Sequence, residues 1–221
     1  MKAAGVAKTA LIIIDVQNGF LHPTHWGTSR STPGCEENIA LLLSAAREHN
    51  KKQGGGPSVV AICHVHHHSI YPDSLLHPGA QIEIDGQAVD AVQPLPFARP
   101  EPDEKIFIKN VNSSFIGTEL EAYLRSQGVG QLIIAGLTTD HCVSTTTRMA
   151  SNLRVVSTTG PDGGLDEGDI VLAGDACATF AKGGFDAETV HGVNLASLDG
   201  EFAQVEQTQD VLRVVFGYSH L

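Results

Sequence analysis

Cysteine is scarce in this chain, and the four that occur (Cys35, Cys63, Cys142, Cys177) are widely spaced with no CxxC pair. That spacing excludes a dense disulfide framework and a zinc ribbon, and it points to free thiols in a reducing, cytoplasmic setting. Basic residues are also few. Lys and Arg number 14 against 25 Asp and Glu, a formal net charge of -11, and no basic cluster is longer than Lys51-Lys52. A nucleic-acid partner needs a basic face, so this balance excludes one and disfavours an anionic membrane surface. Long apolar runs are missing as well. The N-terminal MKAAGVAKTALIII resembles a signal peptide, yet its apolar part is only Ala10 to Ile14 and runs into Asp15. It reads as a first strand. No internal repeat is visible.

What is present is ordinary globular patterning: 221 residues, 42% of them hydrophobic, enough for one substantial core. Short apolar runs at Thr9–Ile14, Val59–Val65, Lys105–Lys109, Leu132–Ala135 and Ile170–Gly174 read as strands, with extended character also at Leu153–Ser157 and a last strand at Val211–Phe216. Helical periodicity marks 36–53, ended by three glycines, then 117–127, 142–150 and 187–202. Alternation of this kind predicts an α/β fold of three layers, α/β/α. Its doubly wound, mostly parallel six-stranded sheet would have order 3-2-1-4-5-6. The chain reads as a single domain, 1–221. It carries a long excursion over 66–102, too long for a mere connector, and a Gly/Asp-rich polar insertion over 158–169 that reads as a surface loop.

The run QLIIAGLTTDHCVSTTTR, 131–148, organises the chemistry. A buried strand turns sharply and re-emerges at Cys142 on the first turn of a helix, where outward N–H groups and the helix dipole favour a thiolate. Asp15 closes the first strand and Lys109 the third. Strands one and four are neighbours at the switch point of such a sheet, so their carboxyl ends open on a single crevice. Each residue has a plainer reading: Cys142 as a small core hydrophobe, Asp15 as a cap, Lys109 as a solvated strand end.

ALIIIDVQNGF, EKIFIKNVNSSFIGTELEAYL and LIIAGLTTDHCVSTTTRMA, in that order, resemble the isochorismatase-like cysteine hydrolases, the group of nicotinamidases, N-carbamoylsarcosine amidase and biuret hydrolase. The likeness continues through GDACATF and ETVHGVNLASL. It implies an Asp-Lys-Cys catalytic triad of Asp15, Lys109 and Cys142. It also implies a non-proline cis peptide at Leu137-Thr138, an oxyanion hole from the N–H groups of Thr138 and Cys142, and a homo-oligomer, dimer or tetramer. The implied activity is hydrolysis of a C–N bond, amide or ureide, in a small molecule through a thioester. Alternatives of the same family are ether cleavage of the isochorismatase type and a metal-assisted nicotinamidase. An alternative of another class is a non-catalytic relative that binds a metabolite or partner.

The histidines His64, His66, His67 and His68 invite a zinc reading. The nicotinamidase-like metal set begins with an Asp-x-His pair, however, and no Asp stands in CHVHHHS. The expectation is therefore no cofactor, with these histidines lining the pocket or an oligomer contact, and zinc at His64–His68 as the alternative. Gln17, Phe20, Trp26, His64 and Phe115 are candidates for the substrate pocket, with core packing as the competing reading for Phe20 and Phe115. Asp140 and His141 read as turn-shaping residues, and His191 as packed near an interface.

Overall fold

The computed structural model describes residues 1–56, 59–159 and 163–218. Six strands form the main sheet: β1 (Thr9–Ile14), β2 (Ala61–His67), β5 (Lys105–Lys109), β6 (Gln131–Leu137), β9 (Asp169–Ala178) and β10 (Gln204–Glu206). Their spatial order is β10-β9-β6-β1-β2-β5, and every pairing between neighbours is parallel. Numbered along the chain, that is 3-2-1-4-5-6, the order expected of a doubly wound sheet. β1 is buried at all six positions because it lies inside the sheet with both faces covered.

Side-chain alternation divides the core into two layers. Leu11, Ile13, Ile133 and Ala135 face α1 (Cys35–Gln53) and α5 (Thr208–Phe216) through Ile39, Leu42, Leu43, Val211 and Val215. Ala10, Ile12, Ile14, Leu132 and Ile134 face the opposite way. They pack with Leu120 and Leu124 of α2 (Leu120–Ser126), Ala150 of α3 (Ser144–Asn152) and Leu198 of α4 (Ala187–Leu198). Which layer a side chain joins is decided by its parity along the strand.

Three assignments change. Val211–Phe216 is helix, not strand. Val211, Leu212 and Val215 share one helical face, Asp175 Oδ1 accepts hydrogen bonds from Thr208 N and Oγ1 at the start, and Gly217 ends it at φ 75°. The β-branched residues suggested a strand, but burial at helical spacing prevails. Leu153–Ser157 is a turn closing α3, with Leu153 N bonded to Met149 O and Val155 N to Ala150 O. The second strand ends at His67 instead of Val65, because β5 pairs with it to the last residue, His67 opposite Lys109. Within the 66–102 excursion an antiparallel hairpin forms from β3 (Gln81–Ile84) and β4 (Gln87–Asp90). The polar insertion carries a two-residue pairing of β7 (Thr158–Thr159) with β8 (Leu165–Asp166). Residues 160–162 of that predicted loop lie outside the described residues. No helix among the described residues is long and apolar enough to cross a membrane.

Candidate active site

β1 and β6 run side by side to their ends, Ile14 opposite Gly136. The backbones are so close there that a Cβ on Gly136 would sit 2.1 Å from Ile14 O, and Gly136 holds φ 125°. Only glycine meets both demands. Beyond it the Leu137–Thr138 peptide bond is cis. The chain then makes a single π-helical turn, Thr139–Val143, in which Thr138 O accepts from both His141 N and Val143 N, each at 3.1 Å. Such turns recur at functional sites because they re-aim one side chain without ending the helix. Here the side chain is Cys142, buried at 6% exposure.

Asp15 is delivered by a different device. Parity along β1 would send it to the α1 face, with Leu11 and Ile13. Its backbone instead takes φ 53°, in the left-handed region that an Asp tolerates better than most residues. The carboxylate thereby reaches the Cys142 layer. Lys109 needs no such device, since it lies two residues beyond Phe107, which packs on that layer.

These elements bring Asp15, Lys109 and Cys142 together. Lys109 Nζ donates to Asp15 Oδ2 at 2.7 Å and to Cys142 Sγ at 3.2 Å. Asp15 and Lys109 are fully buried, as a matched ion pair must be at such depth. The second carboxylate oxygen, Asp15 Oδ1, is buried with no hydrogen-bond partner among the described residues. It is free to accept a proton. A neighbour read from the sequence only as one of the histidine cluster completes the group: His67 Nδ1 lies 3.1 Å from Lys109 Nζ. Asn112 Oδ1 stands 4.0 Å from the sulfur.

The sulfur's electrostatics overturn one expectation. Burial raises the Cys142 pKa well above the usual thiol range, and the Asp15 charge raises it further; Lys109 pulls it down but does not prevail. The direction of this shift favours the thiol and runs against the thiolate expected from a helix N-terminus. Depth in the protein outweighs a dipole of one turn. The other three cysteines are free and buried.

The predicted pocket residues divide sharply. Gln17 is fully buried and used up by backbone: Nε2 donates to His67 O and Val92 O, and Oε1 accepts from His67 N. It braces β2, with both amide protons engaged and no exposed surface. His64 points to the α1 face, where Nε2 lies 2.7 Å from Glu104 Oε2; Arg47 grips the same carboxylate, donating to Oε1 at 2.7 Å and to Oε2 at 2.8 Å. Phe20 and Trp26 stack at 4.7 Å within the α1-side core, beside Phe180. Phe115 alone of the five joins the buried cluster that holds Cys142. Its loop is tied to α3 by Ser114 N and Oγ on Thr146 Oγ1.

The reason His64 fails and His67 succeeds is parity: Cys63, Val65 and His67 share the Cys142 face, while His64 and His66 take the other. The signal was present in the run of three histidines after Val65, had the strand been extended to cover it. Two more residues steady the Cys142 turn. Asp140 accepts from Thr179 Oγ1 and pairs with Lys182, and Thr139 Oγ1 lies 2.9 Å from His191 Nδ1. Asp140 thus does shape the turn, by anchoring it to the end of β9.

For a metal, the histidines of 64–68 do not converge on one point: His64 and His66 take one face of β2, with rings 6.3 Å apart, and His67 takes the other. Among the described residues the one group of three metal-capable side chains is Asp15, His67 and Cys142, with donor atoms within 4.8 Å of one another. Lys109 Nζ lies within 3.2 Å of all three residues. The ammonium is already the cation of that cage, and a divalent ion would have to displace it. The donor set fits Lys109, not a metal.

Residues 9–210 match the isochorismatase domain model. The chain belongs to the isochorismatase family. The isochorismatase family protein YrdC of Bacillus subtilis is 37% identical over 210 residues, spanning 93% of this chain and 95% of that protein. The crystal structure of an isochorismatase-family protein from Chromobacterium violaceum superposes with a TM-score of 0.75 at 33% identity, covering 93% of this chain and 92% of the other. The ureidoacrylate amidohydrolase RutB of Pantoea ananatis is 30% identical over 160 residues, 64% of this chain and 62% of that protein. The protein is thus an isochorismatase-family hydrolase, with a carboxylate, an ammonium and a thiol gathered at or just beyond the carboxyl ends of β1, β5 and β6.

Proposed function

We propose that this hydrolase cleaves a C–N bond, amide or ureide, in a small molecule, with Cys142 as nucleophile, Asp15 as proton carrier and Lys109 as the charge that serves both. The observation that carries this is the Lys109 ammonium bonded at once to Asp15 Oδ2 and Cys142 Sγ, with Asp15 Oδ1 left open. Because the thiol is protonated at rest, attack and deprotonation belong together. Asp15 takes the thiol proton as the sulfur adds to the carbonyl carbon. Negative charge passes from the Asp15 carboxylate through the sulfur to the carbonyl oxygen, and the ammonium, which touches both carboxylate and sulfur, stabilises the first part of that transfer. The backbone N–H groups of Thr138 and Cys142 receive the developing oxyanion, an interaction whose loss typically costs about 3–4 kcal/mol of barrier.

Asp15 then hands its proton to the departing nitrogen, the C–N bond breaks, and a thioester remains. Water, deprotonated by Asp15, adds to the thioester, and the sulfur leaves with that proton. The sum is one amide and one water giving one acid and one amine. No metal enters, since the position is held by Lys109. The named relative RutB, an amidohydrolase, supports the amide reading over ether cleavage, for which a sulfur nucleophile has no use.

A panel of small amides and ureides, scored for ammonia or amine release, tests the reading. Cys142→Ala should abolish turnover on any substrate found, and brief acid quench should trap acyl mass on Cys142 in the wild type. Full turnover by Cys142→Ala, with cleavage of an enol ether, would replace the proposal with the ether-hydrolase reading.

A further inference from the structure

An ammonium has three protons and no lone pair. At Lys109 Nζ the three directions are filled by Asp15 Oδ2 at 2.7 Å, His67 Nδ1 at 3.1 Å and Cys142 Sγ at 3.2 Å. The proposed reaction uses the first and the third. Nothing in it uses His67, although the protein holds that residue with unusual care. The Gln17 side chain, wholly buried, clamps both backbone groups of His67: Oε1 accepts from its N–H at 2.9 Å, and Nε2 donates to its C=O at 3.2 Å. On the far side, the next residue's N–H donates to Lys109 O at 2.8 Å. The backbones carrying the imidazole and the ammonium are therefore pinned to each other.

We infer that His67 is a positioning residue, whose bare Nδ1 accepts the third ammonium proton and so holds Lys109 Nζ midway between the Asp15 carboxylate and the Cys142 sulfur. This rests on the Asp15–Lys109–Cys142 mechanism above. Two consequences follow from the chemistry of the ring. A nitrogen facing an ammonium must present a lone pair, so His67 is neutral and its one proton is on Nε2. Burial and the adjoining Lys109 charge also push its pKa down, against a smaller opposite pull from Asp15, which keeps it neutral at working pH. Without this acceptor one buried N–H has no partner, and the ammonium is free to tilt toward the carboxylate, the stronger of the two acceptors left. The sulfur then loses its counter-charge as thiolate character develops.

The experiment has two parts. Nitrogen-15 NMR of the wild-type imidazoles should show His67 with Nε2 protonated and Nδ1 bare, whether or not substrate is present. His67→Leu, which fills the space without an acceptor, should lower kcat by roughly 10- to 100-fold while leaving KM within about threefold, the pattern of a misplaced catalytic group. His67→Asn, whose amide oxygen can occupy the place of Nδ1, should recover most of kcat. An Nδ1-protonated His67 would overturn the inference. So would turnover in His67→Leu equal to wild type, an effect on KM alone, or an Asn variant as slow as the Leu variant. Activity persisting in Cys142→Ala would instead remove the mechanism, while the tautomer assignment would still stand on its own measurement.

Discussion

Replacing Lys109 by methionine tests the centre of the structure through stability alone, with no substrate needed. The Lys109–Asp15 pair is 2.7 Å long and both side chains are fully shielded from solvent. Methionine preserves most of the side-chain volume, so the change is chiefly electrostatic. Asp15 Oδ1 already lacks a partner among the described residues, and losing Lys109 removes the partner of Oδ2 as well. Breaking a buried pair on one side typically costs about 3–5 kcal/mol, against about 0–1 kcal/mol for a surface pair. Removing both charges should cost less than removing one. Asp15→Asn is the suitable second change, because asparagine accepts the φ of 53° at that position. The double variant Asp15→Asn/Lys109→Met leaves only neutral groups short of partners, a cost of about 1–3 kcal/mol. Urea unfolding at neutral pH and one chain concentration, with equal m-values as the check on two-state behaviour, measures all four corners of the cycle. A Lys109→Met variant within about 1 kcal/mol of wild type, or single losses that simply add in the double variant, would refute the buried ion pair.

Three further outcomes are expected. Gly136→Ala should give little folded protein: its dihedral alone costs about 1–3 kcal/mol in an L-residue, and its Cβ would overlap Ile14 O at 2.1 Å; a well-folded variant by circular dichroism would show that the close approach of β1 and β6 is wrong. Iodoacetamide should label Cys142 slowly at neutral pH in the absence of substrate, accelerating only above the ordinary thiol range, because burial and Asp15 raise its pKa; rapid labelling of that residue at pH 6, read by peptide mass, would contradict it. Burial alone would raise the Glu104 pKa, but hydrogen bonds from Arg47 and His64 prevail and bring it to about 2. A depressed carboxylate stabilises above its unfolded pKa of about 4.3 and loses that contribution as pH falls toward the folded value. Wild-type stability should therefore decline between about pH 5 and pH 2, and Glu104→Gln should flatten that decline; parallel pH curves for the two proteins would count against the Arg47–Glu104–His64 cluster.

Much of this protein is written locally in its chain. Apolar runs alternating with helical periodicity, each bounded by glycine or a polar residue, determine a parallel sheet covered on both sides. Asp15, Lys109 and Cys142 stand at strand ends that such a sheet must bring to one edge, so the catalytic candidates were legible from order and spacing. Local patterns also misled where burial overrode propensity. Val211–Phe216 is rich in β-branched residues, yet Val211, Leu212 and Val215 serve one buried helical face.

Only the tertiary structure decided which way side chains point. Parity along β2, which continues two residues past its apolar run, sends His64 to Glu104 and His67 to Lys109. A positive φ at Asp15 carries the carboxylate across the sheet from the face its parity assigns. The protonation state of Cys142 likewise depends on depth and neighbours, which no stretch of sequence contains. Pairing register, backbone inversion and desolvation arise between segments remote along the chain, and it is through them that a list of reactive residues becomes an ammonium with three specific partners.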